Sequence, residues 1–168
     1  MLVFGIDPGT RFCGWGVIAS GNALRHIASG LIRLDDAASL ESRLAVLYEA
    51  LAAQIARHVP EVVAVEDLFH QRNARSALVL GHARGVALLA AARAGIPVAA
   101  YPPATVKQAV TGSGRAEKDQ VARMVAILLG VSAFERADVS DALAVAICGA
   151  LRAVPFDVAR PRRLKSIP

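Results

Sequence analysis

The chain has 168 residues, 55% hydrophobic and 20% charged, which makes one globular domain with its own core the simplest organisation. Two cysteines, Cys13 and Cys148, lie in apolar surroundings and read as buried free thiols, which excludes a disulfide-stapled fold. A formal charge of +5 favours an anionic partner such as nucleic acid, while apolar runs broken by Arg93 and Arg152 fall short of a membrane span.

No charged n-region with a small-residue cleavage site opens the chain, so a cytoplasmic protein is expected. Residues 3–6 read as a buried strand and 12–19 as a second. The second carries Gly14 and Gly16 on one face, which invites close approach of another backbone. Ser20-Gly21-Asn22 is a turn into a third strand, 24–34, so the first three strands form an antiparallel meander. Leu40, Leu44, Leu47, Leu51 and Ile55 recur at helical spacing over 39–58, and Pro60 closes that helix. "EVVAVED" is a continuous apolar run, hence a strand covered on both faces.

Asn73 is expected to cap a second long helix reaching Arg93 and stopped by Gly95 and Pro97. Its Gly81 and Gly85, one turn apart, permit close helix packing. "PVAAY" gives a short fifth strand, followed by a short helix at 105–110, the loop "TGSGRA", and helices at 117–129 and 138–154. A meander followed by alternating strands and helices indicates an α/β fold, a mixed sheet covered by helices. Residues 155–168 hold three prolines with Arg160, Arg162, Arg163 and Lys165 against Asp157, a basic tail expected to be mobile.

Carboxylates stand at element ends. "VFGIDPGT" ends a strand on Asp7, "VVAVE" ends another on Glu66 with Asp67 next, and "DVSD" puts Asp138 and Asp141 three apart at a helix start. Asp7 alone fits a turn residue. Asp138 and Asp141 alone fit helix capping, and Asp67 fits a turn or cap. Glu66 is harder to dismiss, because an acid after "VVAV" is costly to bury without a partner. Strand ends and a helix start can meet at the edge of an α/β sheet, where ligands sit. An all-oxygen set there suits Mg²⁺ or Mn²⁺ rather than zinc.

Other chemistries lack their patterns. "GSGRAEK" does not have P-loop spacing, and no G-x-S-x-G elbow occurs. His26, His58, His70 and His82 have no metal-ligand spacing and suit surface or packing roles; His70 alone is near enough in sequence to approach Glu66.

Taken in order, "GIDPGTRFCGWGVI", "VEDLF", "NARSALVLGHARG", "YPPATVKQAVTGSGRAEKDQV" and "DVSDALAVAIC" resemble the RuvC family of bacterial Holliday junction resolvases, over residues 3–153. The resemblance implies a ribonuclease H-like fold for 1–154, with a five-stranded mixed sheet. It implies a homodimer that cuts four-way DNA junctions by paired nicks, in recombination and repair. The family's acidic tetrad falls on Asp7, Glu66, Asp138 and Asp141, implying two Mg²⁺ ions per site with Asp7 shared between them, and Mn²⁺ as a substitute. By the same matching Phe69 reaches into the junction centre, Lys107 and Lys118 face phosphates, and the helix with Gly81 and Gly85 forms the dimer. The reaction implied is an in-line displacement at phosphorus leaving 5′-phosphate and 3′-hydroxyl ends. Partnership with the RuvA–RuvB branch-migration complex follows from the resemblance alone.

Three rivals share parts of this pattern. An actin-like ATPase or sugar kinase has a similar first loop, but needs two such domains and a second phosphate loop. A shorter resolvase-like nuclease of RNA processing shares the first motif, but not "DVSDALAVAIC" or "TVKQAV". A non-catalytic junction-binding protein would not require all four acids.

Overall fold

The computed structural model describes residues 1–67 and 74–152. Phe69, His70, the expected cap Asn73 and the basic tail lie outside the described residues. The strands are β1 (Leu2–Asp7), β2 (Phe12–Ser20), β3 (Leu24–Arg33), β4 (Val62–Glu66) and β5 (Val98–Tyr101). The helices are α1 (Leu40–His58), α2 (Ala74–Arg93), α3 (Pro103–Thr111), α4 (Lys118–Leu129) and α5 (Ala137–Arg152). One sheet holds the five strands in the order β3-β2-β1-β4-β5. β1–β2 and β2–β3 pair antiparallel, and β1–β4 and β4–β5 parallel. The expected meander and mixed sheet are both present.

Strand pleat sorts the side chains into two cores. Phe4, Ile6, Val63 and Val65 join Leu47, Leu51 and Ile55 of α1 and Ala83, Ala87 and Ala91 of α2 on one face. Val3, Val62 and Ala64 join Val121 and Val125 of α4 and Leu143 and Ile147 of α5 on the other. α5 is buried from Val139 to Gly149 save Asp141, as expected of a central helix apolar on every side. Truncating Leu143 there would cost about 2–5 kcal/mol.

Glycine sets how close α5 lies. A Cβ on Gly5 would strike the Ala142 carbonyl, and one on Gly14 the Asp138 carbonyl; one on Gly16 would enter the Leu143 side chain. The sequence signal at Gly14 and Gly16 is thereby explained, with Gly5 added to it. Gly81 and Gly85 behave differently. α2 packs on α1 through its alanines, whereas a Cβ at either glycine meets nothing within 4 Å.

Candidate active site

Asp7 ends β1 and Glu66 ends β4, neighbouring parallel strands in which Ile6 pairs with Val65. By the pleat, Asp7 follows Val3 and Gly5, and Glu66 follows Val62 and Ala64, so both acids share the sheet face that carries α5. The cross-strand partner of Asp7 is Gly14, and the backbone of Asp138 rests on Gly14. The N-terminus of α5 is therefore held against the ends of β1 and β2, with Asp138 and Asp141 in its first two turns. All four acids are half-buried.

Electrostatics tie the set together. Burial pushes the Asp7 carboxyl up to about 8, helped by the negative charges of Asp141, Glu66 and Asp138 and opposed by Lys118. Glu66 is raised by burial and then by Asp141, against the pull of Lys118 and Lys107. Lys118, the first residue of α4, is raised chiefly by Asp141, with which it pairs at 3.2 Å. A cleft lined by Glu66, Lys107, Lys118 and Asp141, floored by Val106 and Val145, runs between α3, α4 and α5. Of the eight site residues expected from sequence that fall among the described residues, Asp7, Glu66, Lys107, Lys118, Asp138 and Asp141 gather at one edge of the sheet. Gly81 and Gly85 on α2 belong to a different surface.

Side chains that the sequence reading left aside complete the surroundings. Arg136 donates through Nε to Asp138 Oδ2 at 2.9 Å, and its guanidinium lies 3.9 Å over the Phe12 ring. Arg33, the register partner of Phe12, pairs with Glu135 at 2.6 Å. Arg84 of α2 donates to the Glu66 carbonyl at 3.3 Å and pairs with Asp67 at 3.1 Å, which gives Asp67 an ionic role beyond turn formation. Apart from Arg136 and Asp138, which are two residues apart, these partners are separated by many residues in the chain, and no local pattern announces them.

Among the described residues, no three Asp, Glu, His or Cys side chains form a ready-made metal cage. Asp138 and Asp141 each give an oxygen to a cation of the chain instead. The donor set nevertheless fits a hard divalent ion. It is all oxygen, and the Asp7 carboxyl is raised by burial first and then by three other acids, whose clustered charge a cation relieves. The contacts with Arg136 and Lys118 each use Oδ2 alone, which leaves the second oxygen of Asp138 and of Asp141 as a donor for a cation. Cys13 and Cys148 are free and buried, as expected. Among the described residues no helix is long and apolar enough to cross a membrane.

A family model described as crossover junction endodeoxyribonuclease RuvC matches residues 3–149. The protein of that name from Acidiphilium cryptum (strain JF-5) is 58% identical over 149 residues, covering 88% of this chain and 89% of the relative. The Thermus thermophilus RuvC structure superposes with a TM-score of 0.82 at 37% identity, covering 89% of this chain and 93% of that one. A second T. thermophilus RuvC structure, in complex with a Holliday junction substrate, gives 0.82 at 35% identity, with the same coverage of each chain.

Proposed function

The chain belongs to the RuvC family of crossover junction endodeoxyribonucleases, and we propose that Asp7, Glu66, Asp138 and Asp141 form its nuclease site. The substrate is the four-way DNA junction and the fold is ribonuclease H-like. The observation that carries the site assignment is the meeting of four acids and Lys118 at one sheet edge, each acid supplied by a strand end or the start of α5.

The four carboxylates would hold two Mg²⁺ ions, with Mn²⁺ able to replace them. When bound, such ions activate water and stabilise the charge on the leaving 3′ oxygen. Lys118 reaches the acids from a side chain that is 79% exposed, so it can also meet a phosphate arriving from solvent. Lys107, facing Glu66 across the cleft, adds positive charge where the strand must pass. Phe69 would stack on or between bases at the crossover.

A two-fold enzyme matches the two strands that must be cut. The dimer surface we infer is the open side of α2, where Gly81 and Gly85 lie with Leu78 and Leu89, 64% and 52% exposed. Partnership with RuvA–RuvB and a cytoplasmic place of action accompany this reading. So does a nuclease domain spanning 1–154 with a separate basic tail.

The test is cleavage of a synthetic mobile four-way junction with Mg²⁺, beside linear duplex of the same sequence. Paired nicks in the junction alone, abolished by EDTA, are expected. Equal cutting of both substrates would remove junction selectivity, and binding without cutting in either Mg²⁺ or Mn²⁺ would remove the nuclease.

A further inference from the structure

Arg43 occupies a costly position. It lies in the opening turns of α1, where a cation opposes the helix dipole. Its side chain is only 18% exposed. Its Nε is buried and finds no acceptor among the described residues. Arginine suits a helix, but apolar packing does not explain a guanidinium held this far from solvent.

What the guanidinium touches does explain it. Nη1 donates to the Thr10 carbonyl at 2.9 Å and lies 3.7 Å from Asp36 Oδ1. Asp36 also pairs with Arg11, and the Arg11 carbonyl accepts from the Leu34 amide at 2.9 Å. Thr10 and Arg11 belong to the turn that leaves β1 at Asp7 and enters β2 at Phe12. That turn is thus held from α1 and from the segment after β3. Gly9 within it is close-packed, since a Cβ there would strike the Phe12 carbonyl.

We propose that Arg43 is a positioning residue for Asp7, fixing the turn and so the place of the Asp7 carboxylate toward a divalent cation. The inference rests on the metal-site reading above. Arg43 lies on α1, across the sheet from α5, and acts through backbone. Its Nη1 meets the Thr10 carbonyl and Asp36 together, at the end of a longer and planar group that a lysine ammonium matches only in part.

The test is Mn²⁺ titration by calorimetry on the DNA-free chain, with circular dichroism to establish folding. Arg43→Gln is expected to weaken Mn²⁺ binding about 10-fold or more, the scale of lost outer support in metal sites. Arg43→Lys should recover only part of that loss. Asp36→Asn, an isosteric change at an exposed position, should show a smaller loss in the same direction. Leu51→Ala, a core truncation on the same helix, should lower the melting temperature yet leave Mn²⁺ affinity within about two-fold of the parent. If Arg43→Gln does not fold, Arg43→Lys and Asp36→Asn carry the test. Parental Mn²⁺ affinity in the folded variants, or an equal loss in Leu51→Ala, overturns the inference. A parent that binds Mn²⁺ no better than Asp7→Asn shows instead that the metal reading has failed, and the inference falls with it.

Discussion

Lys118 places its Nζ 3.2 Å from Oδ2 of Asp141, joining the start of α4 to the second turn of α5. The lysine also lies within electrostatic reach of Asp7 and Glu66. A cation so placed offsets the acids and, in the proposed site, would meet charge that develops on a phosphate. Lys118→Ala is expected to slow junction cleavage at saturating Mg²⁺ by about 10²–10³-fold. Junction affinity should fall far less, because many phosphate contacts share it. Single-turnover cleavage rates beside binding isotherms separate the two. Equal losses in rate and affinity would make Lys118 a general DNA contact.

Asp7 makes stability depend on pH in an unusual direction. Its carboxyl is raised from the ordinary 3.8 to about 8, by burial first and neighbouring acids second. Between those values the folded chain keeps a proton that the unfolded chain releases, so stability falls as pH rises. Urea unfolding in EDTA should therefore show the parent losing stability from about pH 5 to about pH 8. Asp7→Asn should flatten that slope and exceed the parent in stability at the upper end. Mg²⁺ should restore the parent there by binding the ionised acids. A parent whose stability rises over this window would contradict the raised carboxyl.

The open side of α2 gives a test of assembly. Leu78 and Leu89 are exposed in the single chain, and Gly81 and Gly85 leave room beside them. The chain is expected to sediment as a dimer, and Leu89→Glu as a monomer with the same secondary structure. Charge at the centre of an apolar contact opposes association. A Leu89→Glu variant that remains dimeric would place the interface elsewhere.

Gly14 is where fold and site meet. Its missing side chain lets the Asp138 backbone sit beside the strand partner of Asp7. Gly14→Ala is expected to cost about 1–3 kcal/mol or more of stability, since backbone rather than a flexible side chain must yield. It should also displace α5 and lose cleavage. Gly21→Ala, with open space around it, is the matched control. Thermal melts of both variants check this, and equal stability of the two would contradict the close approach.

The legible parts of the sequence were those written in local periodicity. Leu47, Leu51 and Ile55 bury one side of α1, and Ser39 caps it, accepting from the Ser42 amide. Glu66 announced itself because an acid ending an apolar run needs a reason. Strand pleat placed Asp7 and Glu66 on one face, though that needs the register as well as the sequence. The end of α1 at His58, before Pro60, was legible too, but not how it is made: Val59, β-branched, caps it in a left-handed conformation at φ 45°, where glycine is usual. Gly81 and Gly85 signalled close packing, yet within the chain the alanines do that work and the glycines face outward. The couplings of Arg84 with Asp67, Arg136 with Phe12, and Arg43 with Thr10 were invisible, because topology rather than spacing brings them together.

The central claim is that four acids act as one metal-dependent nuclease site, and the direct test removes them one at a time. Asp7→Asn, Glu66→Gln, Asp138→Asn and Asp141→Asn would each be assayed with Mg²⁺ on a labelled four-way junction, for binding and for nicking. All four are expected to bind the junction and none to cut it at more than a trace of the parental rate. Any one of them cutting at the parental rate would contradict the account.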